Sequence, residues 1–300
     1  MTRWKKYSAV ALVAVVFLAG GGVALKTKAE AHRLVTNPRA TRMLPRETPA
    51  DRGLPFEEAS VTTTQGLRLV GWFVPSPGQP TIIVQHGYKD SRASMLGLAE
   101  LLHRHHYAVL IPTVRAHDLS DGELIGLGSL EMDDLDAWFE WLIARPDVDR
   151  ARLGIFGASM GGSLVLQYAA DNAELKAVVA DCAFSSIRDT VETSVTFFTG
   201  LPPFPFAPMI LFWMERELDV DADTIDAKRW VGRISPRPVF LLQGGADQVV
   251  SPESGKRLFE AAKDPKELWF EPSLGHVQFL AKRPGEFEKR LVGFYDKYLR

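Results

Sequence analysis

From Thr81 onward the chain alternates between short, mostly apolar runs and longer stretches in which apolar residues recur every three or four positions. The runs are Thr81 to Gln85, Ala108 to Ile111, Leu153 to Phe156, Ala177 to Ala180, Val239 to Leu242 and Glu267 to Phe270. Strands covered on both faces read this way, as in a parallel sheet. The periodic stretches, Ser94 to His105, Met132 to Ala144, Ser163 to Ala170, Ser254 to Ala262 and Phe287 to Leu299, predict amphipathic helices between them. The alternation predicts an α/β domain with a mostly parallel central sheet flanked by helices. In such sheets reactive groups gather at the carboxyl ends of the strands. Ahead of this pattern, Val61 to Thr64, the turn Gln65-Gly66 and Leu67 to Val74 predict a hairpin, closed by Pro75-Ser76-Pro77-Gly78.

One segment breaks the alternation. No buried strand is predicted between about 185 and 235, and Phe197 to Phe206 is dense in aromatic residues and proline. It reads as a short cap insertion, with a helix from Pro208 to Glu217 whose Met209, Leu211, Phe212, Trp213 and Met214 are expected to roof a pocket. At the other end, Arg3, Lys5 and Lys6 precede Tyr7 to Leu25, which is uncharged and apolar or small throughout. Residues 1–28 therefore read as a transmembrane signal-anchor, with a cleaved signal peptide as the alternative. The basic end places the folded domain on the extracytoplasmic side if the anchor stays, and makes it secreted if cleaved. Residues 29–57, rich in Pro, Arg, Thr and Glu, read as a linker or surface strap, and 58–300 as the folded domain.

Composition narrows the field further. With 300 residues, 46% of them hydrophobic, one large domain can bury its own core. A net charge of −2 and no long run of like charge give no basic face for nucleic acid. Cys182 is the only cysteine, so neither an intrachain disulfide nor a cysteine-rich metal site is available. No metal or organic cofactor is implied.

The chemistry concentrates at Gly157-Ala158-Ser159-Met160-Gly161, directly after a buried strand and before a helix. A serine on so sharp a turn needs neighbours with almost no side chain two residues away on each side. The helix beginning at Met160 aims free N–H groups at the same point. A hydroxyl is a weak nucleophile at neutral pH, so it needs a base and a carboxylate to orient that base. Of seven histidines, His276 stands in the loop after the last strand and before the final helix, the position expected of the base. The acid is expected past the strand before it, where Gln243-Gly244-Gly245-Ala246-Asp247 provides Asp247; Asp181, after the preceding strand, is the runner-up. A tetrahedral intermediate also requires two amide donors, for which Met160 and Tyr88, in Gln85-His86-Gly87-Tyr88, are the candidates. His86 is expected to brace that loop.

With these residues assembled, the chain from about Ala59 to Arg300 resembles the serine α/β-hydrolase superfamily, whose partners follow in the order Ser, Asp, His. The pair His86-Gly87, the run Arg115 to Gly122, Gly157 to Gly162, Ala180 to Ser186 and the short cap look like its serine aminopeptidase-like or prolyl-oligopeptidase-like branch, which often carries an N-terminal membrane or signal segment. The resemblance implies an α/β-hydrolase fold, Ser159 as nucleophile, His276 as base, Asp247 as acid, and the Met160 and Tyr88 amides as oxyanion hole. A departure falls at His117-Asp118, where many relatives have His-Gly. The expectation is a serine hydrolase of carboxylic esters acting on a small-molecule substrate. An aminopeptidase-type peptidase and a non-catalytic membrane-anchored binding module are the alternatives. A free carboxylate near the pocket would distinguish the peptidase.

Overall fold

The computed structural model describes residues 20–300. Eight strands form one sheet in the order β1-β2-β4-β3-β5-β6-β7-β8. β1 (Glu57–Thr62) and β4 (Ala108–Pro112) both pair antiparallel with β2 (Arg68–Val74). The remaining neighbours, β3 (Thr81–Gln85), β5 (Leu153–Ala158), β6 (Leu175–Asp181), β7 (Val239–Gly244) and β8 (Lys266–Glu271), run parallel to one another and to β4. Every predicted strand is present. The first begins at Glu57 rather than Val61, because its inward positions are Ala59 and Val61, while Thr63 and Thr64 belong to the turn.

The period-2 alternation of the central strands sends neighbouring residues into two separate cores. Ile83, Leu110, Ile155, Val178 and Leu241 face one. Ile82, Val84, Val109, Phe156, Val179 and Leu242 face the other. On the first face lie α1 (residues 20–35), α3 (Met132–Ile143), α4 (Met160–Asp171), α7 (Lys228–Val231) and α8 (Glu253–Ala261). On the second lie α2 (Leu96–Arg104), α9 (Phe279–Lys282) and α10 (Pro284–Leu299).

The cap, inserted between β6 and β7, consists of α5 (Ile187–Thr199) and α6 (Pro203–Leu218). α6 starts earlier than Pro208 because the run Leu201-Pro202-Pro203 breaks α5 and Pro203 opens the new helix, with Phe204 out of helical geometry. α5 was not expected. Its apolar residues Ile187, Val191 and Val195 recur every four positions, a signal obscured by five threonines and serines on its other faces.

The N-terminal expectation divides. Residues 1–19, which hold most of the apolar stretch from Tyr7, lie outside the described residues; among those described, no single helix is long and apolar enough to cross a membrane. Residues 29–35 are helical rather than an extended strap, and Ala31 and Val35 are wholly buried in the core. The strap begins after α1. There Asn37 donates to the carbonyl of Ala116, and the buried guanidinium of Arg42 donates to the carbonyls of Asn37, Ser120 and Gly122.

Candidate active site

β5 ends at Ala158 and α4 begins at Met160, so the whole turn is Ser159, at φ 55°, ψ −121°. Such a conformation is unfavourable for a side-chain-bearing residue and persists only where its surroundings hold it. The glycines on either side make it possible. A Cβ on Gly157 would lie 2.2 Å from the carbonyl oxygen of Gly161, and one on Gly161 would lie 2.4 Å from that of His86. The Ser159 amide is held by the carbonyl of Asp181 at 2.8 Å.

The three residues expected to act together meet here. His276 Nε2 is 2.7 Å from Ser159 Oγ, and its Nδ1 is 2.7 Å from Asp247 Oδ2. A carboxylate can only accept, which places the ring proton on Nδ1 and leaves Nε2 to receive the serine hydroxyl proton. The other oxygen of Asp247 accepts from the amides of Val249 and Val250 at 2.8 and 2.9 Å, so the buried carboxylate cannot swing away from the ring. Its loop is joined to the histidine loop by hydrogen bonds from the Gly245 amide to the Glu271 carbonyl and from the Ala246 amide to that of Leu274. Gly244 permits this approach, since a Cβ there would lie 2.5 Å from the Leu274 carbonyl.

Asp181 stands apart. Its Oδ1 has no hydrogen-bond partner and burial pushes its pKa up to about 7. Cys182 Sγ accepts the Val277 amide at 3.3 Å, and burial raises its thiol well above the usual range. Cys182, Asp247 and His276 offer donor atoms within 4.8 Å of one another, but both nitrogens of His276 are engaged by Asp247 and Ser159, so the trio is a poor metal site.

Gly87 lets the β3 loop come within contact of the serine: a Cβ on it would be 3.3 Å from that of Ser159. Among the described residues neither the Tyr88 nor the Met160 amide donates to a protein acceptor, so both remain available beside Ser159. Two buried histidines hold this loop. His86 Nδ1 donates to the Gly87 carbonyl at 2.8 Å. His117 Nδ1 donates to the Arg115 carbonyl at 2.7 Å, and its Nε2 accepts the Lys89 amide at 2.9 Å. Nothing in its local sequence marks His117 for this role; it positions the loop that carries Tyr88. Its neighbours anchor it in turn, Arg115 through a buried ion pair with Asp134 at 2.8 Å and Asp118 through Arg92 at 3.1 Å. From the opposite side Tyr88 Oη and Lys89 Nζ donate to the carbonyls of Leu34 and Arg33 at the end of α1.

Above Ser159 lies a cavity of about 610 Å³, within the range of small-molecule sites. Leu127, Phe184, Ile187, Val191, Val195 and Ile210 make its wall apolar. The roof is thus mainly α5. Of α6 only Ile210 reaches the cavity; Leu211 and Met214 are buried in the core and Phe212 is turned outward. α5 packs against α6 and supplies Ile187, Val191 and Val195 to the wall, where α6 supplies one residue. The exposed rim carries Arg33, Met43, Phe197 and Phe198.

The fold agrees with comparisons to known proteins. Residues 80–218 match the model of the α/β-hydrolase-fold family. The chain is 26% identical over 247 residues to the uncharacterized protein YfhR of Escherichia coli, covering 79% of this chain and 80% of that one. It is 27% identical over 277 residues to the uncharacterized protein Rv2307c of Mycobacterium tuberculosis, covering 91% and 89%. Among solved structures, the Pyrococcus furiosus esterase Pf2001 superposes with a TM-score of 0.75 at 25% identity, covering 89% of this chain and 99% of that one. The chain has the α/β-hydrolase fold.

Proposed function

We propose that the protein cleaves carboxylic esters by acyl-enzyme chemistry, with Ser159 as nucleophile, His276 as base and Asp247 as the acid that orients it. The observation that carries this reading is the linear relay from Ser159 Oγ through His276 to Asp247, both links 2.7 Å long. His276 takes the hydroxyl proton as Ser159 attacks the carbonyl and returns it to the leaving alcohol; water then repeats the sequence on the acyl-enzyme. The tetrahedral oxyanion is received by the amides of Met160 and Tyr88. A serine held at φ 55° favours catalysis over mere binding, because a binding module has no need of such strain.

The cavity favours esters over the amides of an aminopeptidase. Among its lining residues Glu30 is the one carboxylate, and it is already paired with Lys26 at 2.7 Å and Arg33 at 3.1 Å. Among the described residues that line the cavity, no free acid is left to hold an α-amine. The N-terminal stretch from Tyr7 is proposed to anchor the enzyme with its catalytic domain on the extracytoplasmic side, a placement that protease accessibility in intact cells tests.

Labelling of the full chain with a serine-directed fluorophosphonate, beside Ser159→Ala and His276→Ala, tests the chemistry. Labelling of the wild type alone, with ester turnover lost in both variants, is expected. A folded wild type that neither labels nor turns over short esters would overturn the proposal.

A further inference from the structure

The turn between α5 and α6 carries the largest exposed aromatic residues of the described chain. Phe197 and Phe198, at the end of α5, are each 57% exposed, and Phe204, at the start of α6, is 82% exposed. Pro202, Pro203 and Pro205 between and beside them are exposed as well. Together α5 and α6 match a membrane span in length and apolarity, but they bend by 110° at this turn. The pair therefore presents its apolar turn instead of crossing as one rod. Contiguous apolar surface of this kind marks a contact surface in a soluble fold.

A second observation shows what lies on the same side. Lys28 of α1 sits over the ring of Trp213 in α6 at 5.5 Å, and four residues further along both helices His32 meets Glu217 at 2.5 Å. Equal steps in the same direction mean that the two helices run side by side and parallel. Followed back eight residues, at about 1.5 Å per residue, Gly20 comes level with Pro205. The uncharged stretch that begins at Tyr7 thus enters α1 at the end of the molecule where Phe204 projects. Leu25, 72% exposed, lies on that part of α1. The cations match this placement. α1 holds Lys26, Lys28 and Arg33 against the single acid Glu30, and Lys89 is joined to its end. Aromatic and aliphatic tips beside a basic helix suit the interface of a phospholipid bilayer, with lysine and arginine at the phosphates. Arg33, Phe197 and Phe198 belong also to the rim of the cavity above Ser159.

We infer that the cap turn around Phe204, with Phe197, Phe198 and Leu25, docks into the surface of a phospholipid bilayer, and that the cavity receives an ester-bearing lipid amphiphile directly from that leaflet. The substrate half of this inference rests on the serine-hydrolase reading; the docking half does not.

Because Cys182 is fully buried, a cysteine introduced at an exposed position can be labelled selectively. The full chain, reconstituted in phosphatidylcholine–phosphatidylglycerol vesicles, would carry an environment-sensitive fluorophore at Phe204→Cys or, as a reference, at the exposed Lys289→Cys on α10. At 204 it is expected to be quenched by nitroxide-bearing lipid and shielded from aqueous iodide, and at 289 the reverse. Equal iodide access at both positions overturns docking. Shielding at 204 without nitroxide quenching also overturns it, since another copy or the chain's own first residues then cover the turn. Phe204→Asp, outside the cavity, is expected to lower turnover of a long-chain ester in the vesicles at least tenfold while sparing a soluble short-chain ester. Equal effects on both esters overturn delivery from the leaflet. If the fluorophore inserts but neither ester is cleaved by the wild type, docking stands and the hydrolase reading with its lipid substrate falls.

Discussion

At the scale of single residues, two aspartates competed for one role. Both Asp181 and Asp247 follow buried strands, and nothing in their local sequence separates them decisively. Packing does, because the histidine loop is hydrogen-bonded to the turn of Gly245 and Ala246 and so reaches Asp247. Asp247→Asn is expected to reduce kcat by about 10⁴-fold by favouring the wrong imidazole tautomer. Asp181→Asn should reduce it by less than about tenfold, since its carboxyl, raised to about 7, already spends part of its time neutral at pH 7. Steady-state kinetics of the two variants on one soluble ester provide the check, and the reverse ranking would reassign the acid.

The buried histidines give a prediction in pH. Burial holds both His86 and His117 below the ordinary imidazole value of 6.5. The unfolded chain therefore binds the extra protons first, so their contribution to stability is complete above about pH 6.5 and is lost as pH falls through the folded values. Each histidine can contribute a slope of up to ~1.4 kcal/mol per pH unit in that window. His117→Gln keeps an acceptor for the Lys89 amide but cannot titrate. Its stability, measured by urea unfolding, should fall less steeply than that of the wild type on acidification below about pH 6.5. Parallel curves would show that His117 is not the group concerned.

At the scale of elements, the strand-turn-helix of β5 and α4 was legible because glycine spacing and apolar runs are local signals. What they could not show is how little room the turn leaves. Gly161→Ala would press a methyl against the carbonyls of Gln85 and His86, at 2.6 and 2.4 Å. Overpacking of this kind costs roughly 1–3 kcal/mol and would displace the loop that carries Tyr88. Loss of fluorophosphonate labelling together with a lowered denaturation midpoint is the expected result. α5 was missed as an element, and with it the true roof of the cavity. Val191→Trp on that helix should narrow the cavity, lowering kcat/KM for longer acyl chains far more than for acetyl esters. A uniform effect across chain lengths would place the acyl group elsewhere.

At the scale of the whole molecule, α1 and the strap behind it are integral parts of the domain. Thr27, Ala31 and Val35 are wholly buried, and the carbonyls at the end of α1 receive Tyr88 and Lys89 from the loop beside Ser159. Arg42 ties the strap to three carbonyls, two of them in the loop at 120–122. Arg42→Ala is expected to lower stability by about 2–3 kcal/mol, since buried carbonyls lose a charged donor. Thermal unfolding of the full chain measures this, and an unchanged Tm would mean that the strap is not fastened there.

The sequence by itself determined the sheet class, the eight strands, the serine turn and the order along the chain of the serine, the aspartate and the histidine proposed to act together, because apolar periodicity and glycine-dependent turns act over a few neighbouring positions. Tertiary structure alone decided which aspartate meets His276, that His117 holds the loop of Tyr88, that α5 and not α6 roofs the cavity, and that residues 29–35 form a packed helix. Each of these depends on contacts between segments tens to more than a hundred residues apart, which are set by how layers close over the sheet and which the local pattern does not by itself fix.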